Sequence, residues 1–80
     1  MRATILVRPK PGILDPQGEA VQASLRQLGF EVDEARVGRV IDVELEQAGD
    51  PDAVRAELER ACEQLLANPL IESYEIALER

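Results

Sequence analysis

The sequence has no histidine and no tryptophan, and its 80 residues include a single tyrosine, a single phenylalanine and a single cysteine. Without histidine the commonest general base near neutral pH is missing, and no serine lies in a nucleophile-elbow pattern, so little points to catalysis by this chain alone. The scarcity of rings argues against base-stacking nucleic-acid modules and forces an aliphatic core of Ile, Leu, Val and Ala. Cys62 has no second cysteine for an internal disulfide, and no apolar run reaches the length of a signal-peptide core or a membrane span. The expectation is a cytoplasmic protein.

Basic residues are also few, nine against sixteen acidic ones, giving a formal net charge of −7. A surface of that sign repels phosphate backbones and anionic membranes, so neither nucleic acid nor membrane is an expected partner. The length fits one domain, residues 1–80. A domain of this size buries only about 60% of its unfolded surface and gains from association.

Along the chain, Ala3, Ile5 and Val7 alternate with Thr4, Leu6 and Arg8, the pattern of a strand. Pro9, Pro11 and Gly12 end it and open a loop to about Leu14. Asp15 then caps a helix with Pro16 in its first position, and Gly29 stops it. Val21, Leu25 and Leu28 form the apolar stripe expected to pack on a sheet. Phe30–Val37 reads as a second strand and Val40–Glu46 as a third, joined at Gly38 and Arg39. Asp50 and Pro51 repeat the capped opening for a second helix, whose stripe is Val54, Leu58, Ala61, Cys62, Leu65 and Leu66, and Asn68-Pro69 ends it. Tyr74, Ile76 and Leu78 alternate with Glu75, Ala77 and Glu79 in a last strand.

This order predicts an α+β, ferredoxin-like βαββαβ fold: a four-stranded antiparallel sheet in the order 4-1-3-2 with both helices on one face. Strands two and four are then exposed edges, and pairing an edge with another copy predicts a homodimer or a tetramer.

The same topology brings the end of strand one, the strand two–three turn and the end of the second helix to one edge. Arg8, Lys10, Arg36 and Arg39 gather there, beside the amides that open the first helix, as a basic patch for an anionic partner surface or ligand. The plainer reading is charge balance against carboxylates such as Asp15 and Asp33. Elsewhere the plain readings prevail. Glu44 with Glu46 and Asp50 with Asp52 are solvated charge rather than an acid–base pair or Mg²⁺ ligands, Cys62 is a core thiol, and Tyr74 is a core or interface side chain. Asp15-Pro16-Gln17-Gly18 is a capped helix start rather than a phosphate cradle. No catalytic, cofactor-binding or metal-binding residue is expected.

Four ordered segments, Leu14-Asp15-Pro16-Gln17-Gly18, Leu28-Gly29-Phe30, Val37-Gly38-Arg39 and Leu65-Leu66-Ala67-Asn68-Pro69, together with Leu70-Ile71-Glu72-Ser73-Tyr74, resemble the PurS subunit of phosphoribosylformylglycinamidine synthase over the whole chain. The resemblance implies a non-catalytic subunit of a ligase in de novo purine synthesis. In that complex a PurL subunit carries out the ATP- and Mg²⁺-dependent amidination, a PurQ subunit releases ammonia from glutamine, and PurS dimers join the two. The candidate subunit interface is Arg8, Lys10, Asp15, Gln17, Arg36, Arg39 and Asn68, and charge reversal at Arg36 and Arg39 is expected to weaken the complex without unfolding the domain. A small-molecule-binding regulatory domain is the alternative, since βαββαβ units also hold ligands at their interfaces.

Overall fold

In the computed structural model, which describes residues 1–46 and 49–79, the chain runs β1 (Arg2–Pro9), α1 (Pro16–Gln27), β2 (Arg39–Glu44), α2 (Pro51–Ala61), a π-helical turn (Cys62–Leu66) and β3 (Glu72–Glu79). β1 is central and antiparallel to both neighbours, in the order β2-β1-β3. Ile5 sits opposite Ile41 on one side and Ile76 on the other, so the apolar sets of the three strands share one face. α2 covers that face: Leu58 and Cys62 pack with Ala3, Ile5, Val7 and Ala67 as the buried core, with Ile41, Val43, Ile76 and Leu78 around it. Thr4 and Asp42 share the opposite, uncovered face, where the Thr4 hydroxyl donates to the Asp42 carboxylate at 3.0 Å.

The predicted four-stranded sheet is corrected to three strands among the described residues: Phe30–Val37 forms no ladder. Its polar backbone groups are taken by α1 instead. Val37 N–H donates to Asp15 at 2.8 Å and Ala35 N–H to Gln22 at 3.3 Å, while Arg26 donates to the carbonyls of Val32 and Asp33. Asp15, Gly18, Gln22 and Arg26 recur at helical spacing, so α1 has a polar stripe that grips this segment.

α1 is therefore a correction of a second kind. Its capped opening and its glycine stop are as expected: Gly18 N–H donates to Asp15 Oδ1 at 3.0 Å, and Gly29, at φ +95°, lets Phe30 N–H reach Leu25 O at 3.0 Å in a Schellman closure. Its apolar stripe does not lie on the sheet. Gly18 is the one buried residue of α1, and Leu28 and Phe30 are 74% and 59% exposed. With the helix and its strap carried outside the core, the molecule measures 48 × 25 × 14 Å. Its radius of gyration is 15.8 Å, where a compact chain of this length gives about 12 Å.

The second helix starts at Pro51 behind Asp50, as expected, but changes pitch at Cys62. Ala67 N–H bonds to Cys62 O, five residues back, at 3.0 Å. The wider turn rotates Leu65 out of the apolar stripe to 81% exposure while Cys62 stays fully buried.

The candidate interface edge

The end of β1, the segment entering β2 and the end of the π turn meet at one edge, and the contacts that join them come from the residues singled out in the sequence. Arg36 donates to Lys10 O at 2.8 Å and to Glu34 at 3.0 Å, and its Nε lies 3.8 Å from Asp15 Oδ2. Lys10 N–H bonds to Ile71 O at 2.8 Å and its ammonium to Pro69 O at 2.6 Å. Arg39 forks onto Glu72 and also donates to Leu66 O. Asn68 accepts from Leu70 N–H at 3.1 Å, and its own N–H donates to Glu72 at 2.7 Å. Gln17 lines a cleft of about 240 Å³ with Leu14, Val37 and Ile71.

Gly38 holds this junction close. A Cβ there would collide with the carbonyl of Val7, so β2 can begin against β1 only with glycine at this position. Gly18 plays the same part for α1, since a Cβ would strike both the Asp15 carboxylate and Ala35 O.

The predicted basic patch is divided by the sheet. Arg39 pairs with Val7 and leaves on the helix side, toward Leu66 and Glu72. Arg8 leaves on the uncovered side, where it meets Glu75 at 2.9 Å. The charges are also largely spent internally. The Asp15 carboxyl is held below its usual range first by the Val37 and Gly18 amides and then by Arg36. Glu72 is likewise lowered, first by Arg39 and then by the Asn68 amide. Asp15 is thus a partner of Arg36, as the charge-balance reading expects, whereas among the described residues the Asp33 carboxylate pairs with none of Arg8, Lys10, Arg36 and Arg39, and only its backbone carbonyl is engaged, by Arg26. Glu72 and Gln22 were not singled out in the sequence. Gln22's place four residues after Gly18 and four before Arg26 was the available signal, whereas nothing local marks Glu72.

On the far side of α2, Tyr74 donates to Glu63 at 2.9 Å, and that hydrogen bond pushes its phenol up to about 12. Burial, then Glu63 and Glu59, raise the Cys62 thiol, as a core thiol requires. Among the described residues no group of three His, Cys, Asp or Glu side chains is placed to hold a metal, and no helix is long and apolar enough to cross a membrane.

Fold and edge together define a small α+β module whose edge contacts hold its loops and its first helix in place. The sequence profile of the family described as "PurS: Phosphoribosylformylglycinamidine (FGAM) synthase" matches residues 2–80, and the chain belongs to that family. It is 39% identical over 80 residues to the PurS subunit of Methanocaldococcus jannaschii, covering 99% of this chain and 95% of that one, and 36% identical to the Bacillus subtilis subunit, covering 98% and 92%. The crystal structure of the M. jannaschii protein, described as one of the subunits of formylglycinamide ribonucleotide amidotransferase in the purine biosynthetic pathway, superimposes with a TM-score of 0.83 over 99% of this chain and 95% of that one. A chain of the PurLQS structure from Thermotoga maritima, 32% identical, gives the same TM-score over 95% and 93%. A subunit of FGAM synthase is therefore the reading that stands, in place of the regulatory domain.

Proposed function

We propose that this chain is the non-catalytic bridging subunit of FGAM synthase. As a homodimer it joins a PurL-type synthetase to a PurQ-type glutaminase in the cytoplasm, so that ammonia released from glutamine reaches the synthetase. ATP and Mg²⁺ are used by the partner subunits. The observation that carries the reading is α1 with its closing turn: Val21 on the helix and Leu28 and Phe30 just beyond it are exposed, and among the described residues no helix packs extensively on the β2 side of the sheet. Such a monomer is incomplete, and a second copy that brings its own α1 to the free half of the sheet supplies what is missing by two-fold symmetry. Arg8, Lys10, Asp15, Gln17, Arg36, Arg39 and Asn68 form the edge offered to the catalytic subunits. The PurLQS assembly of the T. maritima relative supports this role.

The test is synthase activity of PurL plus PurQ from the same organism, with and without this chain, beside ammonia-driven activity of PurL alone. The expected outcome is restoration of the glutamine-driven rate with the ammonia-driven rate unchanged. An unaltered glutamine-driven rate would sink the bridging role.

A further inference from the structure

A recess of about 380 Å³ opens at the β1–β2 end of the sheet, lined by Leu6, Val7, Arg8, Pro9, Arg36, Gly38, Arg39 and Val40. Every charged residue in that lining is an arginine. On a chain of net charge −7 this is a place whose own wall carries no carboxylate, although each of its arginines contacts one nearby.

The arginines differ in how free they are. Arg39 is locked to Glu72 and Leu66, and Arg36 to Lys10 O and Glu34. Arg8 has a single carboxylate contact, to Glu75, and both side chains are well exposed, at 55% and 69%. Pairs of that kind are weak and readily exchanged. Leu6 and Val40 sit opposite each other in register beside it, an apolar floor that a docked partner would cover, strengthening an ion pair formed above it.

We propose that Arg8 and this recess receive an aspartate or glutamate side chain of a catalytic subunit, which displaces Glu75 from the guanidinium as the subunits join. The inference rests on the bridging role. Charge complementarity selects the occupant: the wall is basic, and its floor suits a carboxylate flanked by an apolar residue. A bridging subunit also needs a surface separate from the one its second copy uses, and Arg8, Leu6 and Val40 lie on the uncovered face of the sheet, away from the face that α1 would complete, whereas Arg39 leaves on the helix side.

The exchange gives a prediction of opposite signs. Glu75→Gln leaves Arg8 uncompeted, so affinity for PurL plus PurQ should rise several-fold. Arg8→Glu should lower it by about tenfold or more, with Arg8→Gln between them, and the spread should shrink as salt is raised. The wild type and the three variants are measured by titration calorimetry into the mixed PurL and PurQ subunits, with sedimentation of each chain alone. Unchanged or weaker binding by Glu75→Gln, or normal binding by Arg8→Glu, would overturn the proposal. So would a change in self-association on Arg8→Glu, which would give the recess to a second copy. Arg8-dependent binding of inorganic phosphate to the isolated chain as tight as its binding to the partners would make it a free-anion site and overturn it equally. Failure of the bridging role itself is read separately, from the wild-type chain's inability to restore glutamine-driven activity.

Discussion

Arg39 and Glu72, 33 residues apart in sequence, face each other as a fork on a carboxylate, with nitrogen–oxygen distances of 2.6 and 3.1 Å. The same Arg39 nitrogen that makes the longer contact also reaches Leu66 O, and the same Glu72 oxygen accepts from Asn68 N–H. One ion pair thus fastens β2 to the end of the π turn and to the loop that enters β3.

Arg39→Ala should therefore loosen residues 67–72 before it affects anything else. The stability cost is expected to be about 1 kcal/mol, kept small by solvent at a half-exposed guanidinium. Amide hydrogen exchange should show faster exchange at Asn68 and Leu70 with the β1–β3 ladder unchanged. Charge reversal here therefore perturbs a loop as well as a surface, and Arg8 is the cleaner probe of docking.

Asp15 carries the attachment of α1 to the strap that follows it. Its folded-state value lies below the unfolded one, so its contribution is complete above about pH 4 and is lost as pH falls through the depressed value. Protection of the Gly18 and Val37 amides should fall in that acidic window. Asp15→Asn should reduce protection at neutral pH and abolish the acid step, and an unaltered acid step would show that another carboxylate is responsible.

Much of this architecture is legible in the sequence, because strict alternation in β1, β2 and β3 and two Asp-Pro caps are local signals. The order of the three observed strands is that of strands four, one and three in the predicted sheet. Phe30–Val37 was misread because its apolar residues suggest a strand, whereas Asp15, Gln22 and Arg26 compete successfully for its backbone. The edge was foreseen as a meeting point, but not its wiring, since which arginine finds which carboxylate is decided by tertiary geometry. Leu65 was misplaced because helical spacing presumes a constant turn.

Gly18→Ala tests the close fit of α1 against the strap. The added methyl would meet Asp15 and Ala35 O, so a loss of about 1–3 kcal/mol is expected where a helical Gly→Ala change ordinarily stabilises. Thermal melts should show the loss, and a gain would mean that the strap moves aside at little cost.

Leu28→Glu and Phe30→Glu place charge on the bare apolar surface at the end of α1. Because both side chains are exposed in one copy, the monomer fold should persist by circular dichroism while self-association measured by sedimentation weakens. Unchanged self-association would assign the dimer contact to another surface.

Ile5 lies at the centre of the sheet and is fully buried. Ile5→Val should cost about 1 kcal/mol and Ile5→Ala about 2–5 kcal/mol, a large share of the stability of so small a domain. Denaturant midpoints would measure both, and equal costs would indicate that the core collapses around the gap.

The π turn has a consequence for how this chain can change length. A hydrogen bond spanning five residues instead of four means that Cys62–Leu66 holds one more residue than an α-helix needs to cover the same ground. Shortening the segment by one would restore ordinary pitch over the same ground and keep Ala67 in the core and Asn68 near Glu72, whereas removing one residue from the regular turns of α2 would swing everything after it by about 100° around the helix axis. The spare residue is therefore slack: the chain can lose a residue here and still deliver its final strand at the same angle.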